Sequence, residues 1–173
     1  MVRLSGMTLV ALLVSIAAGC SLDPVNDEAR ADLGPETPGV ARGPLHRPGQ
    51  PCLACHDGST AHPAMTVAGT VNAVLGSAAP LAGVSVALTD VTGMTVTAMT
   101  NAAGNFYVEP ATWRPTFPLH VAITFGGYSS TMSTIIGRDG SCATCHTDPA
   151  SRISAGPVFL APVPALLPDG GSP

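Results

Sequence analysis

The chain has 173 residues, a formal net charge of −4 and only 10 % charged residues. Such a balance offers no basic footprint for nucleic acid. With 46 % hydrophobic and 4 % aromatic residues, 19 Gly and 17 Pro, it suits a loop-rich β domain with flexible flanks better than a helical bundle.

Residues 1–19 read as a signal peptide, in which Arg3 precedes an apolar stretch too short to count as a spanning helix. It runs into Ile16-Ala17-Ala18-Gly19-Cys20, which resembles the lipobox of bacterial lipoproteins. That resemblance implies cleavage before Cys20 and lipid on its thiol, although Ala17 stands where the family prefers Leu. The alternative is an ordinary signal peptide with Cys20 as a passenger. Ser21, in place of the Asp that retains lipoproteins at the inner membrane, implies the outer membrane. Residues 20–45 are then a flexible tether. Asp23, Asp27, Glu28, Asp32 and Glu36 accumulate there without an apolar period.

Cys52-Leu53-Ala54-Cys55-His56 and Cys142-Ala143-Thr144-Cys145-His146 repeat the Cys-x-x-Cys-His signature of covalent c-type haem. Two thiols three positions apart can each add to one vinyl group of a porphyrin, and the next residue offers an imidazole to the iron. The chain contains only five histidines, so finding one directly after both cysteine pairs is a strong signal. The predicted cofactors are two covalent haem c groups, with His56 and His146 as proximal ligands. Distal candidates, in order, are His46, His62 and His120. Met65 and Met132 offer thioether alternatives that would raise the potential. His46 precedes a Pro/Gly turn that can fold it over the neighbouring haem, whereas His120 falls on the outward face of its strand. Arg47, Arg138 and Arg152 flank the motifs and can pair with haem propionates. No acid, base or nucleophile cluster accompanies them, so no enzyme is expected.

Residues 46–65 form the first haem-binding segment. Beyond it, short alternating runs predict strands over residues 65–75, 83–91, 95–100, 106–108, 119–125, 128–136 and 157–161, with turns between. Val84, Val86 and Leu88 share one face of the second strand; Leu119, Val121, Ile123 and Phe125 share one face of the fifth. About seven short strands predict an all-β fold, a single antiparallel β-sandwich. Gly69 interrupts the first strand as a bulge or a point of close approach. Residues 163–173 read as a disordered tail.

Val67-Ala68-Gly69-Thr70-Val71, Pro80-Leu81-Ala82-Gly83-Val84-Ser85-Val86, Thr100-Asn101-Ala102-Ala103-Gly104-Asn105-Phe106-Tyr107 and Phe125-Gly126-Gly127-Tyr128 resemble the successive motifs of carboxypeptidase regulatory-like domains. The resemblance covers about residues 66–162. It implies a transthyretin-like sandwich and no peptidase activity, and it leaves the loop 137–154, with the second haem motif, as an insertion. If the first and last strands run parallel and adjacent, both motifs share one end of the domain.

The leading function is a lipid-anchored dihaem electron carrier in the periplasm or at the outer membrane or cell surface. Its partners would be redox proteins, with membrane contact through the lipid alone and no small-molecule substrate. The alternative is a surface lipoprotein serving as a binding or adhesion module. In it Cys52, Cys55, Cys142 and Cys145 would hold one structural Zn2+, and the following histidines would be coincidental.

Overall fold

A computed structural model describes residues 24–36, 39–74 and 79–160. The predicted signal peptide, Cys20 and the 163–173 tail lie outside the described residues. The chain divides into two units, one ending at Gly34 and one beginning at Pro35. In the first unit the stretch read as tether contains a helix, α1 (Pro24–Asp32). A proline suits the first helical position, and Arg30 in the last turn bonds back to Asp27. Among the described residues no helix is long and apolar enough to cross a membrane.

Among its described residues the second unit is all-β, as expected, with six strands in two antiparallel sheets. In the smaller sheet, β1 (Val67–Thr70) pairs with β4 (Asn105–Val108). In the larger, β2 (Ser85–Asp90) lies between β3 (Thr95–Met99) and β5 (Leu119–Phe125), and β6 (Tyr128–Thr131) pairs with the far edge of β5.

Period-2 alternation explains the core. Val84, Val86 and Leu88 are fully buried, and so is Leu119 of β5, while His120 beside it is exposed. One apolar cluster draws on both sheets. Val67, Phe106 and Val108 come from the smaller one, and Val86, Leu88, Leu119 and Ile123 from the larger. Each such side chain contributes about 1.5–3 kcal/mol on burial. Trp113, in a loop, is buried in the same cluster. The β2–β3 turn is held by Asp90, whose carboxylate accepts from the Thr92 hydroxyl and from the Thr92 and Met94 amides. These bonds, led by the Thr92 hydroxyl, hold its carboxyl below the usual carboxylate range.

Three strands depart from expectation. The first, expected over residues 65–75, is a strand only over Val67–Thr70. The sixth ends at Thr131 rather than 136. Pairing with β5 continues only through Met132 N–H to Val121 O (3.0 Å) and resumes at Leu119–Ile136. From the Ala122–Thr131 pair to Leu119–Ile136, β5 advances three residues and its partner five. The two extra residues interrupt the ladder as an irregular bulge, larger than the usual single-residue kind. The expected last strand, 157–161, is reduced to a single parallel bridge, Asn72–Phe159.

That bridge still positions the second motif. A second parallel bridge, Ala68–Ser141, lies further back along β1. Ala68 N–H donates to Gly140 O (3.0 Å), and Asn72 N–H to Val158 O (2.8 Å). The segment between therefore leaves β1 and returns to it, carrying the motif as an excursion. All four residues of β1 are buried, as in a strand covered on both faces.

Candidate functional site

The two Cys-x-x-Cys-His segments fold alike. Each begins with a short 3-10 turn, η1 (Cys52–Ala54) or η2 (Cys142–Thr144). In each, the histidine amide donates to the carbonyl of the first cysteine, His56 to Cys52 and His146 to Cys142, both at 2.9 Å. In each, the carbonyl of the second cysteine accepts from an alanine further on, Cys55 from Ala61 and Cys145 from Ala155, again at 2.9 Å. Ala54 and Ala143 fill the buried position inside each turn. Two segments at different points of the chain thus share one local structure.

Both histidine rings are oriented by the loop that follows. His56 Nδ1 lies 2.7 Å from Pro63 O, and His146 Nδ1 lies 2.8 Å from Gly156 O. A carbonyl can only accept, so Nδ1 of each ring donates, and in the neutral ring the lone pair lies on Nε2. This is how a protein fixes the tautomer and raises the basicity of a metal-ligating imidazole. His56 is buried, His146 half-buried.

The distal candidates separate clearly. The ring of His46 lies beside that of His56, centroid to centroid 5.8 Å, planes tilted by 36°. The two imidazoles would be the residues to hold a metal between them. The Nδ1 of His46 also bonds a carbonyl, that of Gly43. His62 and His120 are exposed, His120 on β5 opposite Thr89. Met65 is half-buried just after the first motif, its amide bonded to His56 O (2.9 Å).

The segment around His46 is docked rather than tethered. Gly49 N–H donates to Thr70 Oγ1 (2.7 Å), and Thr70 Oγ1 donates to Asn105 Oδ1 (2.7 Å). The amide nitrogen of Asn105 reaches His46 O at 3.1 Å, and that of Asn101 reaches Pro44 O at 2.7 Å. Arg47 turns the chain with a left-handed φ of 48°, at a cost of about 1–2 kcal/mol. Its guanidinium is engaged by Gln50 (2.7 Å) and Glu36 (3.2 Å). By sequence, Asn101 and Asn105 are turn residues. The signal for a second role is a polar side chain, Asn105, at a buried strand position.

The second motif opens into a cavity of about 650 Å³. Cys142, Cys145 and His146 line it, with Val86, Phe106, Val121 and Ile123 of the core and the bulged wall from Met132 to Ile136. Along β1, Gly69 falls between the core residues Val67 and Val71 and faces Cys142. A Cβ there would lie 2.8 Å from both Cβ and Sγ of Cys142 and 3.0 Å from Phe106. The glycine therefore marks a close approach, one of the two alternatives that the sequence left open. Arg138 is exposed on the cavity rim, and the buried Ser141 hydroxyl there has no hydrogen-bond partner. Arg152 is exposed.

These features fit covalent haem. In the neutral tautomer Nε2 of each motif histidine offers a lone pair, the ring of His46 lies 5.8 Å from that of His56, and the second motif opens onto a largely apolar cavity with Arg138 and Ser141 at its edge. Among the described residues no three His, Cys, Asp or Glu side chains are grouped to hold one metal ion, and this includes the four cysteines of the two motifs.

All four motif cysteines are free thiols. Burial pushes the Cys142 thiol up to about 12, helped by the nearby charges of Cys52 and Asp139. Burial also raises Cys52. Cys145 is exposed. In haem-free protein at pH 8, iodoacetamide is expected to label Cys145 about tenfold or more faster than Cys142, because the thiolate is the nucleophile. Peptide mass mapping of a time course measures this; equal rates would contradict the packing of Cys142 against Gly69.

Comparison with protein-family models, with curated proteins and with solved structures finds no match.

Proposed function

We propose that this protein is an electron carrier holding two covalent haem c groups, exported and anchored to the outer membrane by lipid on Cys20. The observation that carries the reading is the duplicated site. Two Cys-x-x-Cys-His segments share one backbone fold, and each histidine is turned by a carbonyl so that Nε2 is free to ligate. We further infer that the two sheets form the transthyretin-like sandwich suggested by the carboxypeptidase regulatory-like motifs, here serving as a scaffold.

Haem c, when bound, supplies a one-electron couple at its iron. The chain's residues do the rest. Cys52 and Cys55, and Cys142 and Cys145, fix each porphyrin by thioether bonds. His56 and His146 present Nε2, with Pro63 O and Gly156 O holding their Nδ1 protons. His46 closes the distal side of the first site. Arg138 and Ser141 offer donors to propionates of the second. β1 brings the two sites together, with Cys142 packed on Gly69 and the His46 segment bonded to Thr70. That closeness suits passage of electrons from one centre to the other and on to redox partner proteins.

Protein-film voltammetry of the matured protein tests the reading. Two reversible one-electron waves are expected, with no catalytic current on addition of peptides or small oxidants. Absence of reversible waves, or one zinc per chain in place of iron, would overturn it in favour of a metal-stapled surface module.

A further inference from the structure

The two sites differ on the side away from their proximal histidines. In the first, His46 lies beside His56. In the second, the residues lining the cavity include one histidine, His146, which is already the proximal ligand. The other four histidines are placed elsewhere. His46 and His56 lie beside each other, His62 is exposed in the loop after the first motif, and His120 points away from the face that Leu119 and Ile123 bury. Of the lining residues outside the attachment motif, Met132 alone carries sulfur. A neutral thioether is a far better partner for haem iron than the serine and threonine hydroxyls around it.

The fold holds this side chain in place. Met132 continues the β6 pairing one residue past Thr131, opposite Val121, with its amide pinned to Val121 O at 3.0 Å, and the two surplus residues of the bulge follow it. Ile136 returns to pair with Leu119 at the far end. The bulge is thereby clamped at both ends and forms a wall of the cavity rather than a mobile loop. Met132 is half-buried, in contrast to Met94 and Met99 near the β3 edge, at 57 % and 58 % exposure.

We propose that Met132 is the sixth ligand of the second haem, so that the chain carries one His/His centre and one His/Met centre of higher potential. This rests on the dihaem reading. Methionine ligation and an apolar surround both raise a haem potential, so the second haem is the one reduced first in a titration.

The test uses the full-length matured protein. Its ferric near-infrared magnetic circular dichroism should show one methionine-to-iron charge-transfer band alongside the bis-histidine signal. Met132→Ala should abolish that band and convert one of the two haems to high spin. Met132→His should replace the band with a second bis-histidine signal and lower the higher of the two midpoint potentials. The wild-type spectrum decides even if a variant fails to mature. Two covalent haems per chain with no methionine band would overturn the assignment and leave the dihaem reading standing. Fewer than two covalent haems would overturn both.

Discussion

Replacing His46 with alanine is expected to convert the first haem from a low-spin, six-coordinate centre to a high-spin, five-coordinate one. Its potential should rise by on the order of 0.1 V, within the roughly 0.8 V span that axial ligands control. The ring of His46 lies 5.8 Å from that of His56, centre to centre. Its Nδ1 is held by Gly43 O, and its backbone is fixed by Asn105 and by the left-handed turn at Arg47. Such preorganisation is needed only if the ring has a partner to meet. Ferric electronic absorption and resonance Raman spectra read the spin state directly. His62→Ala and His120→Ala serve as controls, since both side chains are exposed, and should leave the spectra unchanged. Unchanged spectra in His46→Ala, with a change in either control, would place the sixth ligand elsewhere.

Gly69→Ala is expected to destabilise the folded protein and to perturb the second haem while leaving the first alone. A methyl at this position lands 2.8 Å from Cys142 Cβ and Sγ and 3.0 Å from Phe106. Neither neighbour can retreat easily. Cys142 is set by η2 and by the Ala68–Ser141 bridge, and Phe106 is a core residue opposite Gly69 in the β1–β4 register. Overpacking of this kind costs about 1–3 kcal/mol, roughly 3–15 °C in Tm for a domain of this size. Haem attachment requires only the thiols and the histidine, so the haem count should stay at two per chain. The thermal midpoint and the spectrum of the second haem should both move. An unchanged midpoint would show that Cys142 does not sit on β1.

Much of the fold was legible because its strands alternate cleanly. Val84, Val86 and Leu88, and Leu119 to Phe125, gave the central pair of the larger sheet nearly residue for residue. The parallel approach of the last segment to β1 was open as a condition, and Asn72–Phe159 meets it with one bridge instead of a strand. The bulge after Thr131 was not legible. The stretch from Tyr128 to Ile136 keeps β-prone residues throughout, and only the resumed Leu119–Ile136 pairing exposes the two surplus residues. The helix Pro24–Asp32 was hidden by composition, since acidic and small residues give no apolar period over nine positions. At the candidate site, the motifs nominate Cys52, Cys55, His56, Cys142, Cys145 and His146, and the upstream turn nominates His46, whose ring the structure places 5.8 Å from that of His56. The carbonyls of Pro63, Gly156 and Gly43 could not be read, because any residue supplies a carbonyl and only the chain path decides which one meets a ring. Thr70 and Asn105 join the His46 segment to the smaller sheet through contacts 21 and 59 residues apart, a separation that no local pattern encodes.

The most direct measurement is the number of covalent haems per chain. The full chain, expressed with a c-type maturation system, would be stripped of loose haem by acid-acetone and assayed by pyridine haemochrome against protein concentration, with intact mass under denaturing conditions. The account predicts two haems per chain, reduced to one by Cys52→Ala/Cys55→Ala and to one by Cys142→Ala/Cys145→Ala. No covalent haem, with the cysteines free or holding a single zinc, would contradict it.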